Sequence, residues 1–265
     1  IGHSIYRDYL EHLAVVGKED FDGLMQLAAD SIRGGNSNFH RKAGSGNFRD
    51  LKFLFVDEFQ DFSNLFYKLI QGIRECNPEL GLFCVGDNWQ AINGYAGSDL
   101  CYFNGFKECF GEFTSLYIST NYRSGKSIVN VGNALMKGMG KAATTSTSAE
   151  GGNVSVADFS SFQPVTIEVQ EHAHDSFTPM VYRLVRRSLL EGSDVVLLCR
   201  TRVLPYYIKS RDGDSGNSLD SFLSRIRSLF PQNFQERITG STAHSFKGLE
   251  GNTVILLDAL AMRVP

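Results

Sequence analysis

Four short stretches are apolar at nearly every position: LKFLFV (51–56), GLFCV (81–85), DVVLLC (194–199) and NTVILLD (252–258). A strand with one face in water alternates apolar with polar, so unbroken runs predict strands covered on both faces, as in parallel sheets. Helical patterns fall between strand patterns, over about 63–75, 99–110, 126–136 and 218–229. Further strands are expected at 113–118, 153–157, 165–169 and 236–239, and a helix is expected with Thr178 as cap and Pro179 at its first position. Near the start, 4–16 and 20–32 read as amphipathic helices, the second capped by Asp20 and stopped at Gly34-Gly35. A polar, glycine-rich loop is expected over 34–47. This alternation predicts an α/β architecture, in which ligands bind at the C-terminal ends of the strands.

Bulk properties narrow the function without giving it. The 265 residues are 42% hydrophobic and 21% charged, enough apolar material for one large domain or two moderate ones. No run approaches about 18 uninterrupted apolar residues, so no transmembrane span is expected. A net charge of -3 provides no global basic field, so nucleic-acid binding would need local contacts in a groove. Five cysteines without a C-x-x-C pair read as reduced core thiols in a cytoplasmic protein rather than as a zinc site. The chain opens on Ile1 and ends at Pro265 straight after a strand-like run, which suggests a piece of a longer protein. Residues 211–221 superficially resemble a calcium loop, but Asn217 stands where glycine is needed and Leu223 where a bidentate glutamate is needed.

Chemistry-bearing residues cluster where these strands end. Asp57-Glu58 follows the first apolar run, and adjacent residues at such a corner point apart. One carboxylate can hold Mg²⁺ while the other orients or deprotonates a water. A solvated acidic turn capping the next helix is the competing explanation. VGDNWQAINGYAGSD (85–99) leaves the next strand, with Gln90 suited to sensing a terminal phosphate or its attacking water, and Trp89 and Tyr95 able to stack on bases. Aromatic loop residues are also common packing elements.

FLFVDEFQD (53–61), VGDNWQAINGYAGSD, LYISTNYRS (116–124) and STAHSFKGLEGNTVILLD (241–258) together resemble, in order, motifs II to V of superfamily 1 DNA helicases of the UvrD/Rep type. DFDGLMQLA (20–28) is similar to the segment before motif II, and DVVLLCRTR (194–202) to a strand between motifs IV and V. Trp89 and Ala96 draw the chain toward the DNA helicase IV branch. The resemblance implies two RecA-like P-loop NTPase lobes, each a parallel sheet flanked by helices and each partly present: the C-terminal part of the first over 1–112, and the second, cut before motif VI, over 113–265. It implies ATP and Mg²⁺ as cofactors, single-stranded DNA or single/double-strand junctions as partners, no membrane association, and a role such as DNA repair.

Residue by residue, the resemblance makes Asp57 the Mg²⁺ ligand, with Glu58 beside it as general base. Gln90 couples the γ-phosphate to the DNA site, and Arg123 is an arginine finger from the second lobe. Gly248 and Glu250 lie near the nucleotide, Glu250 toward the ribose. Tyr95, Trp89 and Asn93 fall in the DNA-contacting segment, with Thr242 and His244 near the DNA backbone. Three departures weaken the DNA-stacking part: Asn93 replaces the usual stacking Tyr, Ala96 the frequent Arg, and Gly251 the usual aromatic.

A phosphate-binding loop is absent from the sequence. Gly-x-x-x-x-Gly-Lys requires glycine at His12, Thr120 or Leu135 for the three Gly-Lys pairs, and none is present. Gly125-Lys126-Ser127 is therefore a look-alike, and the isolated chain is expected to be inactive. A catalytically dead helicase-like scaffold that holds DNA or protein is the alternative. A metal nuclease on Asp57, Glu58 and Asp61 lacks further clustered ligands.

Overall fold

The computed structural model describes residues 2–146, 151–157, 177–204 and 218–257. The chain divides into two compact units, Ile1–Val154 and Ser155–Pro265. The sequence reading places a lobe boundary earlier, at residue 112. Residues up to 146 are tied to the first unit through contacts such as Trp89 Nε1 donating to the Met139 carbonyl at 2.8 Å.

In the first unit, helices α1 (Gly2–Val15) and α2 (Phe21–Arg33) lie close to where the sequence puts them. Asp20 caps α2 by accepting from the Gly23 amide at 2.8 Å. The expected loop at 34–47 instead contains an antiparallel hairpin, β1 (Asn38–Arg41) with β2 (Gly44–Asn47). Gly44 supplies a φ of 136° at the turn, and Asn47 Nδ2 donates to Asn38 Oδ1 across the strands. Polar composition hid this pairing.

Strands β3 (Phe53–Val56) and β4 (Gly81–Cys84) pair in parallel, with α3 (Asn64–Cys76) between them in sequence. Only one face of this pair is covered: Leu54, Val56, Leu82 and Cys84 pack on a core of Phe59, Phe62, Ile70 and Phe110. On the other face Phe53, Phe55 and Phe83 are 63%, 70% and 52% exposed. The expectation of strands buried on both sides fails here, because among the described residues nothing packs on that face.

The helix expected at 99–110 is split into α4 (Cys101–Asn104) and α5 (Phe106–Phe110). Gly105 stands at the break with its amide on the Cys101 carbonyl. The apolar run at 113–118 forms no strand; Leu116, Tyr117 and Ile118 are exposed, and pairing begins only at β5 (Thr120–Asn121), which joins β6 (Thr144–Thr145) in parallel. Between them runs α6 (Lys126–Leu135). Residues 153–157 are also not a strand, and the strand expected at 165–169 lies outside the described residues, as does most of the 211–221 loop.

The second unit is a three-stranded parallel sheet ordered β8-β7-β9, comprising β7 (Val195–Cys199), β8 (Ile238–Thr242) and β9 (Thr253–Leu256). Central β7 meets the sequence expectation, with Val195 and Leu197 fully buried. Helices α7 (Phe177–Leu190) and α8 (Leu219–Ser228) cover it through Val181, Val185, Phe222 and Ile226. Pro179 falls in the first turn of α7, where a missing N–H is tolerated. Short helices α9 (Gln232–Gln235) and α10 (Ala243–Phe246) flank β8. All five cysteines are free thiols; only Cys199 is buried, while Cys101 is exposed, so the core-thiol expectation holds for part of the set.

Candidate functional site

The acidic pair sits on a local irregularity of the β3–β4 ladder. Val85 donates to the Val56 carbonyl at 2.9 Å, and a regular parallel ladder would then bring the residue 58 amide to the Val85 carbonyl. Phe59 fills that place instead, at 2.8 Å. One extra residue is thus accommodated, and Glu58 absorbs it in the left-handed region with φ 52° and ψ 41°. Glu58 is the only non-glycine residue at positive φ among the described residues. Such bulges re-aim side chains and cluster at functional sites. Asp57 Oδ1 accepts from the Glu58 amide at 2.9 Å, and both carboxylates are solvent-exposed at the C-terminal end of β3.

Behind the corner lies Gln60, which the sequence reading did not single out. It is 1% exposed. Its Nε2 donates to Glu58 Oε2, and its Oε1 accepts from the Asp87 amide at 2.8 Å. The signal that could have found it is an amide, able to donate and accept at once, two residues after an acidic pair and between inward-facing Phe59 and Phe62.

Asp87 extends the connection into the 86–99 loop. Its Oδ1 accepts from the Trp89 amide at 3.0 Å, and its Oδ2 accepts from Gln90 Nε2 at 2.8 Å. Farther along, Asn93 Nδ2 donates to Asp61 Oδ2 at 2.9 Å and Ser98 Oγ to the Asp61 carbonyl at 3.0 Å. The structure therefore links Glu58 to Gln90 through Gln60 and Asp87, across both strand ends, while Asn93 is held by Asp61 in a separate contact. Tyr95 projects from this loop, 79% exposed, whereas Trp89 is half-buried with its indole N–H on Met139.

Arg123 lies in the turn before α6, and Lys126 opens that helix. Asn121 Oδ1 accepts from the amides of Arg123 and Ser124 at 3.0 and 2.8 Å, an Asx turn that leaves the Arg123 side chain exposed. Lys126 is the exposed first residue of α6. A β-carbon at Gly125 would stand 2.2 Å from the Gly151 carbonyl, so this turn backs onto the backbone of 151–152.

The remaining sequence candidates belong to the second unit. Thr242 ends β8 and caps α10, its hydroxyl accepting from the Ser245 amide at 3.2 Å. His244, Gly248 and Glu250 follow and are exposed, Gly248 with φ 80°. A β-carbon at Gly251 would meet Val196 Cγ2 at 3.0 Å, so a bulky residue there would need β7 to give way.

Chemically, the corner offers two adjacent exposed carboxylates and little else for a cation. Among the described residues no three His, Cys, Asp or Glu side chains converge on a metal-sized site. That donor set suits Mg²⁺, which keeps waters and shares nucleotide phosphates with one or two carboxylates. It does not suit a cage built from protein alone or a two-metal nuclease. No described helix is long and apolar enough to cross a membrane.

Residues 2–111, which include both the corner and the 86–99 loop, match the UvrD/REP helicase N-terminal domain. Among curated proteins, the chain is 37% identical over 86 residues to DNA helicase IV of Escherichia coli (strain K12), covering 32% of the chain and 13% of that protein. It is 29% identical over 136 residues to the ATP-dependent DNA helicase PcrA of Staphylococcus epidermidis, covering 51% and 17%. It is 33% identical over 85 residues to the putative ATP-dependent DNA helicase YjcD of Bacillus subtilis (strain 168), covering 32% and 11%. The matched part thus spans less than a fifth of each relative's length. Over residues 2–111, then, the chain is similar to UvrD/REP helicase N-terminal domains.

Proposed function

We propose that the chain is part of an ATP-dependent DNA helicase or translocase, with residues 1–112 in a first RecA-like lobe and 113–265 in a second. The observation that carries this reading is the linked set Glu58, Gln60, Asp87 and Gln90, which joins a strand-end acidic pair to a neighbouring glutamine loop. The names of the relatives, DNA helicase IV and ATP-dependent DNA helicase PcrA, supply the activity class.

In this reading Asp57 would hold Mg²⁺, which would supply positive charge against the nucleotide phosphates. Glu58 orients the attacking water and takes its proton. Gln90 senses the terminal phosphate through the amide now bonded to Asp87. Arg123 stabilises charge on the transferring phosphoryl group, with Gly248 and Glu250 toward the nucleotide. Exposed Tyr95 stacks on an unpaired base, Trp89 and Asn93 shape the same loop, and Thr242 and His244 approach the DNA backbone. Closure of the two lobes over ATP drives stepping on single-stranded DNA or at a junction.

The 265 residues contain no Gly-x-x-x-x-Gly-Lys, so the isolated chain should release no phosphate from ATP. The test measures phosphate release, with and without single-stranded DNA, from the full-length parent, its Glu58→Gln variant and this chain. DNA-stimulated turnover in the parent, lost in Glu58→Gln and absent from the chain, supports the reading. A full-length protein that binds DNA yet never hydrolyses ATP would replace the motor with a scaffold.

A further inference from the structure

We propose that Gln60 is the positioning residue that couples the Glu58 carboxylate to the loop carrying Trp89 and Gln90; this rests on the reading of Glu58 as the catalytic base. Its side chain is 1% exposed, so both ends of the amide must find partners inside the protein. Nε2 donates to Glu58 and Oε1 accepts from the Asp87 amide, one partner on each side of the β3–β4 ladder. Asp87 in turn holds the Trp89 amide and the Gln90 side chain. Two covalently rigid amide atoms therefore connect a carboxylate to a loop residue, Asp87, 27 positions beyond Gln60.

The surroundings leave this amide little freedom. A β-carbon at Gly86 would stand 2.7 Å from Gln60 Oε1, so glycine is what lets the loop backbone reach the amide. Glu58 is held in the left-handed region, a conformation that persists only where neighbours over-determine it. Gln60 is one of those neighbours, fixing the Oε2 oxygen of the carboxylate. A shift of the Asp87 amide, as when Gln90 leaves Asp87 for a ligand, would pull on Oε1 and through the same group on Glu58. Gln60 itself is 1% exposed, so its influence on a ligand passes through Glu58 and Asp87.

The experiment uses the full-length parent with Gln60→Glu, which keeps the acceptor for Asp87 but turns the donor to Glu58 into a repelling oxygen, and Gln60→Leu, which removes both. Expected for Gln60→Glu is a fall of at least about tenfold in DNA-stimulated kcat, with KM for ATP and affinity for single-stranded DNA changing less than about twofold, the signature of an interaction made at the transition state. The double variant Gln60→Glu/Glu58→Gln should match Glu58→Gln alone, since residues acting as a unit are non-additive. Wild-type kcat in both Gln60 variants, or a double variant whose losses multiply, would overturn the coupling while leaving the helicase reading intact. A parent with no DNA-stimulated turnover at all would sink both. As a measurement independent of how Gln60 variants fold, Glu58→Ala should change hydrogen-exchange protection of the Asp87 amide; unchanged protection also overturns the proposal.

Discussion

Gly86 and Gln60 approach so closely that a β-carbon at 86 would lie 2.7 Å from Gln60 Oε1 and 3.0 Å from the Gln60 and Phe59 amide nitrogens. Two of those neighbours are backbone and the third belongs to a fully buried side chain, so none can step aside cheaply. Gly86→Ala should therefore destabilise the first unit by about 1–3 kcal/mol, the range for overpacking. Gly94, on the same loop, has nothing within 4 Å of its added carbon and no positive φ. Gly94→Ala should stay within about 0.5 kcal/mol of wild type. Urea midpoints of the two variants check the contrast.

The exposed and covered faces of the β3–β4 pair predict opposite outcomes for neighbouring phenylalanines. Phe59 is 2% exposed and contacts Phe62, Phe103, Phe106 and Phe110 with ring centroids 4.7 to 6.1 Å away. Phe59→Ala should cost about 3–5 kcal/mol in this chain. Phe55 is 70% exposed, touching mainly Phe53 and Phe83, and Phe55→Ala should cost less than about 1 kcal/mol. Equal losses in denaturant unfolding would mean that Phe55 is buried in solution.

That contrast also marks what the sequence could and could not say. Apolar runs and Asp20 located strands and helices, because strand spacing and capping are local physics. Whether Phe55 meets a covering layer depends on groups far along the chain, so LKFLFV looks the same whether one face is covered or both. The 38–47 hairpin was hidden because its pairing rests on Gly44 and an Asn–Asn bond rather than on apolar alternation. At the site, Asp57, Glu58 and Gln90 were legible as reactive types at strand ends. Gln60 was not, since its importance arises from burial between two loops that only the fold brings together.

Trp89 is the only tryptophan, so its emission reports on the 86–99 loop without interference. Its indole N–H donates to Met139, and a β-carbon at Gly140, which sits at φ 149°, would stand 2.9 Å from that nitrogen. Gly140→Ala should shift Trp89 emission to longer wavelength and cost about 1 kcal/mol or more through backbone strain. An unchanged spectrum would show that the indole does not rest on Met139 in solution.

Thiol reactivity should separate the cysteines by burial. Burial pushes the Cys84 thiol up to about 12 from an ordinary value of 9.0. The thiolate is the nucleophile, so Cys84 should resist alkylation near pH 8 while the chain is folded. Cys101 is exposed, although desolvation and then its bond to Asp99 also raise it, and it should be labelled first but more slowly than a free peptide thiol. Between pH 9 and 12 the unfolded chain loses a Cys84 proton that the folded chain keeps, so Cys84 makes stability fall as pH rises there and contributes nothing at neutral pH. Mass mapping after alkylation, native against denatured, measures the order; early labelling of Cys84 would contradict its partial burial.

Arg123 and Lys126 lie three residues apart, yet the turn between them predicts opposite consequences for losing each. Asn121 fixes the Arg123 and Ser124 amides from one side, and Gly125 is pressed against Gly151 on the other. The backbone around Gly125 therefore has no room to cradle a phosphate, and Lys126 is an exposed cation at the positive end of α6. Lys126→Ala in the full-length parent should leave kcat within about twofold, and Lys126→Glu should stabilise this chain by about 0.5 kcal/mol through the helix dipole. Arg123→Ala should leave stability unchanged within about 0.5 kcal/mol, because its side chain is solvent-exposed. It should nevertheless lower DNA-stimulated kcat by about 10³-fold or more, the scale of an arginine finger. Steady-state ATPase assays on the two alanine variants decide the matter: loss with Lys126→Ala and retention with Arg123→Ala would make Gly125-Lys126-Ser127 the phosphate loop after all.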